Sequence, residues 1–181
     1  EHMTAMQTQK EPTRGRGLPH TCAYRFPPSG LITVTPWRQA SIVRPCPLAD
    51  CRYLEEFWLG ILGPTATWLA RHLSRLVVTQ SDADRSQLGV TVDISELGAR
   101  LGVSSRPLHD SVLVRGINRL VMFNFVTPTG VDKSALAVRA STPRVSDRLV
   151  ARMHPSHRHT HRLWMAQSAT DELGCCVPQR H

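Results

Sequence analysis

Apolar positions along this chain of 181 residues change period several times, and each change predicts a new element. Over 50–62, Tyr53, Leu54, Phe57, Trp58 and Ile61 recur every three or four residues. That is one apolar helix stripe, with Asp50 able to cap it and Gly63-Pro64 able to end it. Thr65 can open a second helix over 66–78, with Trp68, Leu69, Leu73, Leu76 and Val77 on its apolar face and Arg71, His72 and Arg75 off it. A short apolar run at 88–92 precedes a helix over 94–101. Its inward residues are Ile94, Leu97 and Leu101, its cap is Asp93 or Ser95, and Gly102 stops it. Leu113, Ile117, Leu120 and Val121 then fall at i, i+4, i+7 and i+8, which predicts a helix over 111–122 capped by Asp110. This register leaves 102–109 as a long connection. It turns Val112, Arg115, Gly116 and Arg119 outward, with Asn118 beside them. From 123 the period drops toward two. Segments 123–126 and 134–140 predict a hairpin across the turn Thr127-Pro128-Thr129-Gly130. Segment 31–37 reads as a short strand that Pro36 limits to a sheet edge. Helices at 146–153 and 156–167 close the periodic part.

The order helix 66–78, helix 94–101, helix 111–122, hairpin 123–140 resembles a winged helix-turn-helix DNA-binding domain. The fold expected is therefore mostly α (α+β), a winged helix with N-terminal aromatic helices and a small β-hairpin wing. Glu56 to Leu76 (EFWLGILGPTATWLARHLSRL), with Ser111 to Phe123 (SVLVRGINRLVMF), is also similar to a group of uncharacterised actinobacterial proteins. That likeness covers about residues 31–165 and implies no activity. The domain plan expected is an aperiodic arm over 1–30, a winged-helix domain with its helical extension over 31–140, and a basic, His-rich segment and tail over 141–181.

Charge changes the picture more than size does. The net charge is +8, which favours polyanionic partners such as DNA or RNA. Lysine is nearly absent, however, and an arginine-rich composition also follows from a GC-rich genome. The 41% apolar content can build a core. The longest apolar run, 57–62, is far short of the ~20 residues a spanning helix needs. The first thirty residues hold no apolar signal core. A cytoplasmic protein without a membrane partner is the expectation.

The candidate DNA-reading residues follow from the helix 111–122. Arg115 and Arg119 are one turn apart on its presumed outer face and can bridge guanine O6 and N7 or clamp phosphate. Asn118 can pair with adenine. Arg106 and His109 in the connection, and Ser111 at the helix start, can reach phosphates. Between 139 and 162, six arginines and four histidines face the single acid Asp147. Arg139, Arg144 and Arg148 of this run are candidates for lying along the backbone. The plainer reading of all these positions is a solvated, charged surface. The wing tip, 127–133, carries one Lys and one Asp and argues mildly against a wing-led contact. The partners expected are double-stranded DNA and a second copy of the chain in a homodimer. The alternative is a winged helix serving as a protein-interaction module, with a protein partner in place of DNA. No RNA-binding aromatic strand motif is present.

Metal and catalytic readings find less. His157, His159 and His161 alternate and Cys175-Cys176 follow, but neither these nor Cys46 and Cys51 make a convincing zinc spacing. No metal and no cofactor is expected. There is no phosphate-binding loop, dinucleotide fingerprint, nucleophile elbow or H-E-x-x-H, so no enzyme is expected. Five cysteines at irregular spacing do not form a disulfide framework, and free thiols are expected in a reducing cytosol. Trp58, Trp68, Tyr53 and Phe57 are expected in a core or against a partner subunit.

Overall fold

Ile32 and Val34 alternate with Thr33 and Thr35, and the chain uses this run as a strand, β1 (Leu31–Pro36), whose two aliphatic side chains are fully buried. The computed structural model describes residues 24–37, 47–83, 89–104, 111–130 and 132–170. After β1 come a 3-10 turn (Leu48–Asp50), a helical stretch of π winding (Leu54–Trp58) and the turn α1 (Leu59–Leu62). The long α2 (Pro64–Ala83), β2 (Val90–Asp93), α3 (Ile94–Arg100) and α4 (Val112–Met122) follow. The chain then forms β3 (Val126–Thr129), β4 (Ala135–Val138), the short α5 (Asp147–Val150) and α6 (Pro155–Thr170).

The result is a mixed α/β fold with a small open four-stranded sheet in the order β2-β1-β4-β3. The expectation for β1 is corrected here: it is an interior strand, not an edge. It runs antiparallel to β2, pairing Leu31 with Asp93 through Val34 with Val90, and parallel to β4, pairing Thr33 with Ala135 through Pro36 with Val138. Pro36 is tolerated because of register. Thr33 and Trp37 donate toward β4, so the N–H that proline lacks would point the other way, where β2 has already ended. The hairpin is also displaced. Thr127, Pro128 and Thr129 are strand residues paired with Ala137, Leu136 and Ala135, and the turn comes later, beginning at Gly130. Pro128 is accommodated because β3 is the edge strand.

Caps and stops explain most element ends. Asp93 accepts from Ser95 N at 2.6 Å and from Glu96 N at 3.3 Å and starts α3. Gly102, at φ +64, stops it, with Gly102 N–H bonded to Ala99 O and Val103 N–H to Gly98 O. Asn124 does the same for α4 at φ +65, with Asn124 N–H on Val121 O and Phe125 N–H on Leu120 O. The cap of α4 is Ser111, whose hydroxyl accepts from Val114 N at 3.2 Å. Asp110, the cap expected from sequence, lies outside the described residues. Asp50 caps nothing either; its carboxylate accepts from Arg75 at 3.0 Å.

α2 is the central strut. It lies against β1 and β4, against α4 and against the helical segment before it. So many neighbours bury more than one stripe. Ala66, Thr67, Ala70, Arg71 and Ser74 are buried beside Leu69, Leu73 and Val77, while Trp68, expected inside, is 55% exposed. Arg71, expected off the apolar face, is 8% exposed. It pairs with Glu55 at 2.6 Å and packs over the Trp68 ring, 5.6 Å from its centroid. The other aromatics close one core. Trp58 meets Phe125 edge-on at 4.9 Å and donates its indole N–H to Pro143 O at 2.8 Å. Tyr53 and Phe57 pack against His161 and Trp164 of α6. Residues 24–30, assigned to the arm from sequence, belong to this fold: Tyr24 and Phe26 are buried in the same core.

Two observations correct the cysteine reading and bound the membrane one. Cys51 is fully buried and disulfide-bonded, so it is not a free thiol. Its partner is one of Cys22, Cys46, Cys175 and Cys176, all outside the described residues. Among the described residues no helix is long and apolar enough to cross a membrane.

Candidate nucleic-acid interface

The side chains of α4 sort by angle at about 100° per residue. Leu113, Ile117 and Leu120 face the core and are fully buried. Gly116 is buried too, not exposed as the sequence reading has it. A Cβ there would meet Leu69 Cδ2 of α2 at 3.3 Å, with Thr65 and Ala66 just beyond, so the glycine lets the two helices close. The outward stripe that remains is Val112, Arg115, Arg119 and Met122, of which Met122 is 73% exposed.

This stripe lies along a groove of about 270 Å³ whose walls are Val112, Arg115, Gly116 and Arg119 on one side and Leu62 to Ala66 on the other. Arg119 Nε donates to Ile61 O at 2.9 Å, tying α4 to the carboxyl end of α1. A guanidinium has five donors, so this bond leaves both terminal nitrogens to other partners. The opposite wall contains the start of α2, and the first N–H groups of a helix lack acceptors within it. The groove therefore gathers two cations and a positive helix end, a setting that suits a phosphate or carboxylate.

The other candidates divide. Ser111 is buried, 3% exposed, and committed to its cap. Asn118 uses both ends of its carboxamide on the chain itself: Oδ1 accepts from Tyr24 N at 2.5 Å and Nδ2 donates to Tyr24 O at 3.3 Å. Arg139, half-buried, donates through Nε to Asn124 O at 2.6 Å, and its guanidinium sits over the Trp37 ring, 4.5 Å from the centroid. Arg144 and Arg148 are exposed around α5, away in sequence from the α4 stripe. Arg106 and His109 lie outside the described residues. The structure thus brings Arg115 and Arg119 together and spends Ser111, Asn118 and Arg139 on internal bonds. Sequence reasoning missed Met122 and the α2 start as neighbours of the arginines. The helical spacing of Arg115, Arg119 and Met122 was a signal for the first. Nothing in the sequence gave the second, because it depends on how α2 packs.

The histidine run does not form a cluster. On α6, His157 and His161 share a face and His159 is opposite. His161 is 4% exposed and shares a hydrogen bond of 2.9 Å with the Tyr53 hydroxyl. Val145 N–H donates to that same hydroxyl at 3.1 Å, so the Tyr53 oxygen ties α6 to the segment before α5. Burial lowers the His161 pKa, the charge of Arg144 lowers it further, and Asp147 opposes. Among the described residues no group of three or more His, Cys, Asp or Glu could hold a metal ion. Comparison with known proteins finds no matching family model, no matching curated protein and no matching solved structure.

Proposed function

We propose that this chain binds double-stranded DNA through a winged helix-turn-helix in which α3 and α4 form the helix pair and β3–β4 the wing, and that it acts as a transcriptional regulator. The observation that carries this reading is the α4 stripe, where Arg115 and Arg119 stand outward, one turn apart, beside the start of α2. A helix face of this width can enter a major groove, and the two guanidiniums can take a guanine edge or a phosphate there. The order α2, β2, α3, α4, β3, β4 supports it, as does the net charge of +8. β1 is an added strand between β2 and β4. It thickens the sheet on the side away from β3 and leaves the edge of the wing open.

The engaged residues sharpen the mechanism. With Asn118 and Ser111 turned inward, the exposed guanidiniums of Arg115 and Arg119 are placed on α4 to meet a base edge, and the basic run around α5 supplies non-specific affinity. Homodimer formation belongs to the same proposal, since two copies of α4 about 34 Å apart would meet successive major grooves.

Fluorescence anisotropy against a labelled duplex tests this. Wild type is expected to bind, with log K falling steeply against log salt by about 0.9 per phosphate neutralised. Arg115→Ala with Arg119→Ala is expected to abolish retention while the circular dichroism spectrum is kept. Absence of DNA affinity at low salt would overturn the reading in favour of a protein-docking module, for which exposed Trp68 and Leu59 are the side chains to probe.

A further inference from the structure

The helical stretch before α2 and the chain from α5 to the first turn of α6 border a cavity of about 550 Å³, a volume within the range of small-molecule sites. Its two walls are opposite in charge. Glu55 and Glu56 stand on the first wall, and Arg152, His154 and His157 on the second. Between them lie Leu59, Ile61, Leu149 and Met153, each at least partly exposed. Glu55 is engaged by Arg71 at 2.6 Å. Half-buried Glu56 and exposed Arg152 form no ion pair with each other or with any other described residue. The separation of the walls is set by Phe57, which packs edge-on against His161 and Trp164 of α6 with centroids 4.9 and 5.6 Å apart.

Two features of the first wall work against ordinary helix stability. The winding is π over Leu54–Trp58, a form that is rare and often found at functional sites. Gly60 then sits inside α1, where glycine is disfavoured. The usual reasons for a glycine do not apply to it. It does not hold a positive φ, as Gly63 does, and a Cβ there would meet nothing within 4 Å, in contrast to Gly116. What the missing side chain leaves is space on the cavity wall. The second wall is fixed by its backbone. Arg152 N–H bonds to Leu149 O, Met153 N–H to Val150 O and Arg158 N–H to His154 O, each at 3.0 Å. Arg152 is thus presented from a hydrogen-bonded turn, which lowers the ordering cost of binding.

We propose that this cavity binds a small zwitterion with an apolar body, the chemistry of an apolar amino acid or dipeptide. Its ammonium meets Glu56, its carboxylate meets Arg152, and its apolar part packs on Leu59, Ile61, Leu149 and Met153. Arginine can hold a carboxylate by two parallel N–H···O bonds. A ligand of one charge leaves the opposite wall unanswered, and an uncharged one leaves both. The site is distinct from the α4 stripe and stands whether or not the chain binds DNA.

Calorimetric titration of the full chain tests this with four probes: L-phenylalanine, L-phenylalanyl-L-phenylalanine, phenethylamine and 3-phenylpropionate. One of the two zwitterions is expected to bind about tenfold or more tighter than either single-charge analogue, and which one does so separates the amino acid from the dipeptide. Glu56→Gln is expected to erase the advantage of that zwitterion over 3-phenylpropionate, and Arg152→Gln its advantage over phenethylamine. Gly60→Leu, which fills the space, is expected to weaken it about tenfold or more with a urea midpoint unchanged or raised. Absence of binding by both zwitterions up to about 10 mM would overturn the inference. So would equal affinities for zwitterions and analogues, or unchanged affinity in both charge variants. Full affinity in a folded Gly60→Leu protein would place the ligand elsewhere and overturn it too. Should that variant fail to fold, the Glu56 and Arg152 variants decide alone.

Discussion

At the scale of single residues, the strictest requirements sit where two backbones come close. Gly89 holds φ +140, and a Cβ there would lie 2.8 Å from Thr33 Cγ2, Thr35 Cγ2 and Val34 O of β1. No rotamer change relieves a contact with a backbone oxygen. Gly89→Ala is expected to cost about 2–4 kcal/mol from strain and crowding together, read as a lowered urea midpoint with unchanged m-value. Tyr24 points the other way. Burial pushes its hydroxyl pKa up to about 12, and the oxygen meets no hydrogen-bond partner among the described residues. Removing an unsatisfied buried hydroxyl relieves its desolvation, so Tyr24→Phe is expected to be neutral or stabilising by about 1 kcal/mol in the same assay. A clear destabilisation would mean that the hydroxyl has a partner. Neither position stands out in sequence: Gly89 lies next to a strand of ordinary β-formers, and Tyr24 in a run without period.

At the scale of elements, α6 is fastened to the helical segment 52–62 by the Tyr53–His161 bond inside a cluster with Phe57 and Trp164. Burial there lowers the pKa of His161, with the charge of Arg144 adding to it against Asp147. His72 on α2 is likewise held below the ordinary histidine value, by burial first and by Arg100 and Arg75, against Glu96. Both groups bind a proton less readily folded than unfolded, where the value is 6.5. The unfolded chain therefore takes up more protons, and their contribution to stability is full above about pH 6.5 and falls as pH drops below it. Urea midpoints between about pH 7.5 and 5.5 should show this fall, and His161→Gln, which keeps a hydrogen-bonding group beside Tyr53 but does not titrate, should make it shallower. An unaltered slope in that variant would remove His161 from the account. The elements themselves were largely legible. The stripe Leu113, Ile117 and Leu120 places α4 to within a residue, and Asp93 and Gly102 bracket α3, because caps and periodicity are local physics. Trp68 and Arg71 reverse the order that a single stripe predicts, Trp68 being exposed and Arg71 buried. A helix with neighbours on several sides, as α2 has, buries small and polar residues that no single stripe predicts.

At the scale of the whole molecule, one core joins segments distant along the chain: Tyr24 and Phe26, Ile32 and Val34 of β1, the aromatic helical stretch, α2, α4 and the sheet. The Cys51 disulfide adds a covalent tie to this core. Reduction is expected to lower stability by about 2–4 kcal/mol, measured as the shift in urea midpoint with and without dithiothreitol. An unmoved midpoint would show the tie to be absent in solution.

The sequence by itself determined the periodic helices, the Asp93 cap and Gly102 stop of α3, the basic charge and the presence of strands, since each rests on neighbours within a few residues. It also marked Arg115 and Arg119 as an outward pair. Tertiary structure alone decided which polar side chains turn inward. It seated Asn118 on Tyr24, Arg139 on Asn124 and Trp37, and Ser111 on its own helix. It put β1 inside the sheet despite Pro36, and brought the start of α2 alongside the two arginines. Those outcomes depend on long-range packing, where a hydrogen-bonding group buried in the core must find its partner wherever the fold places one.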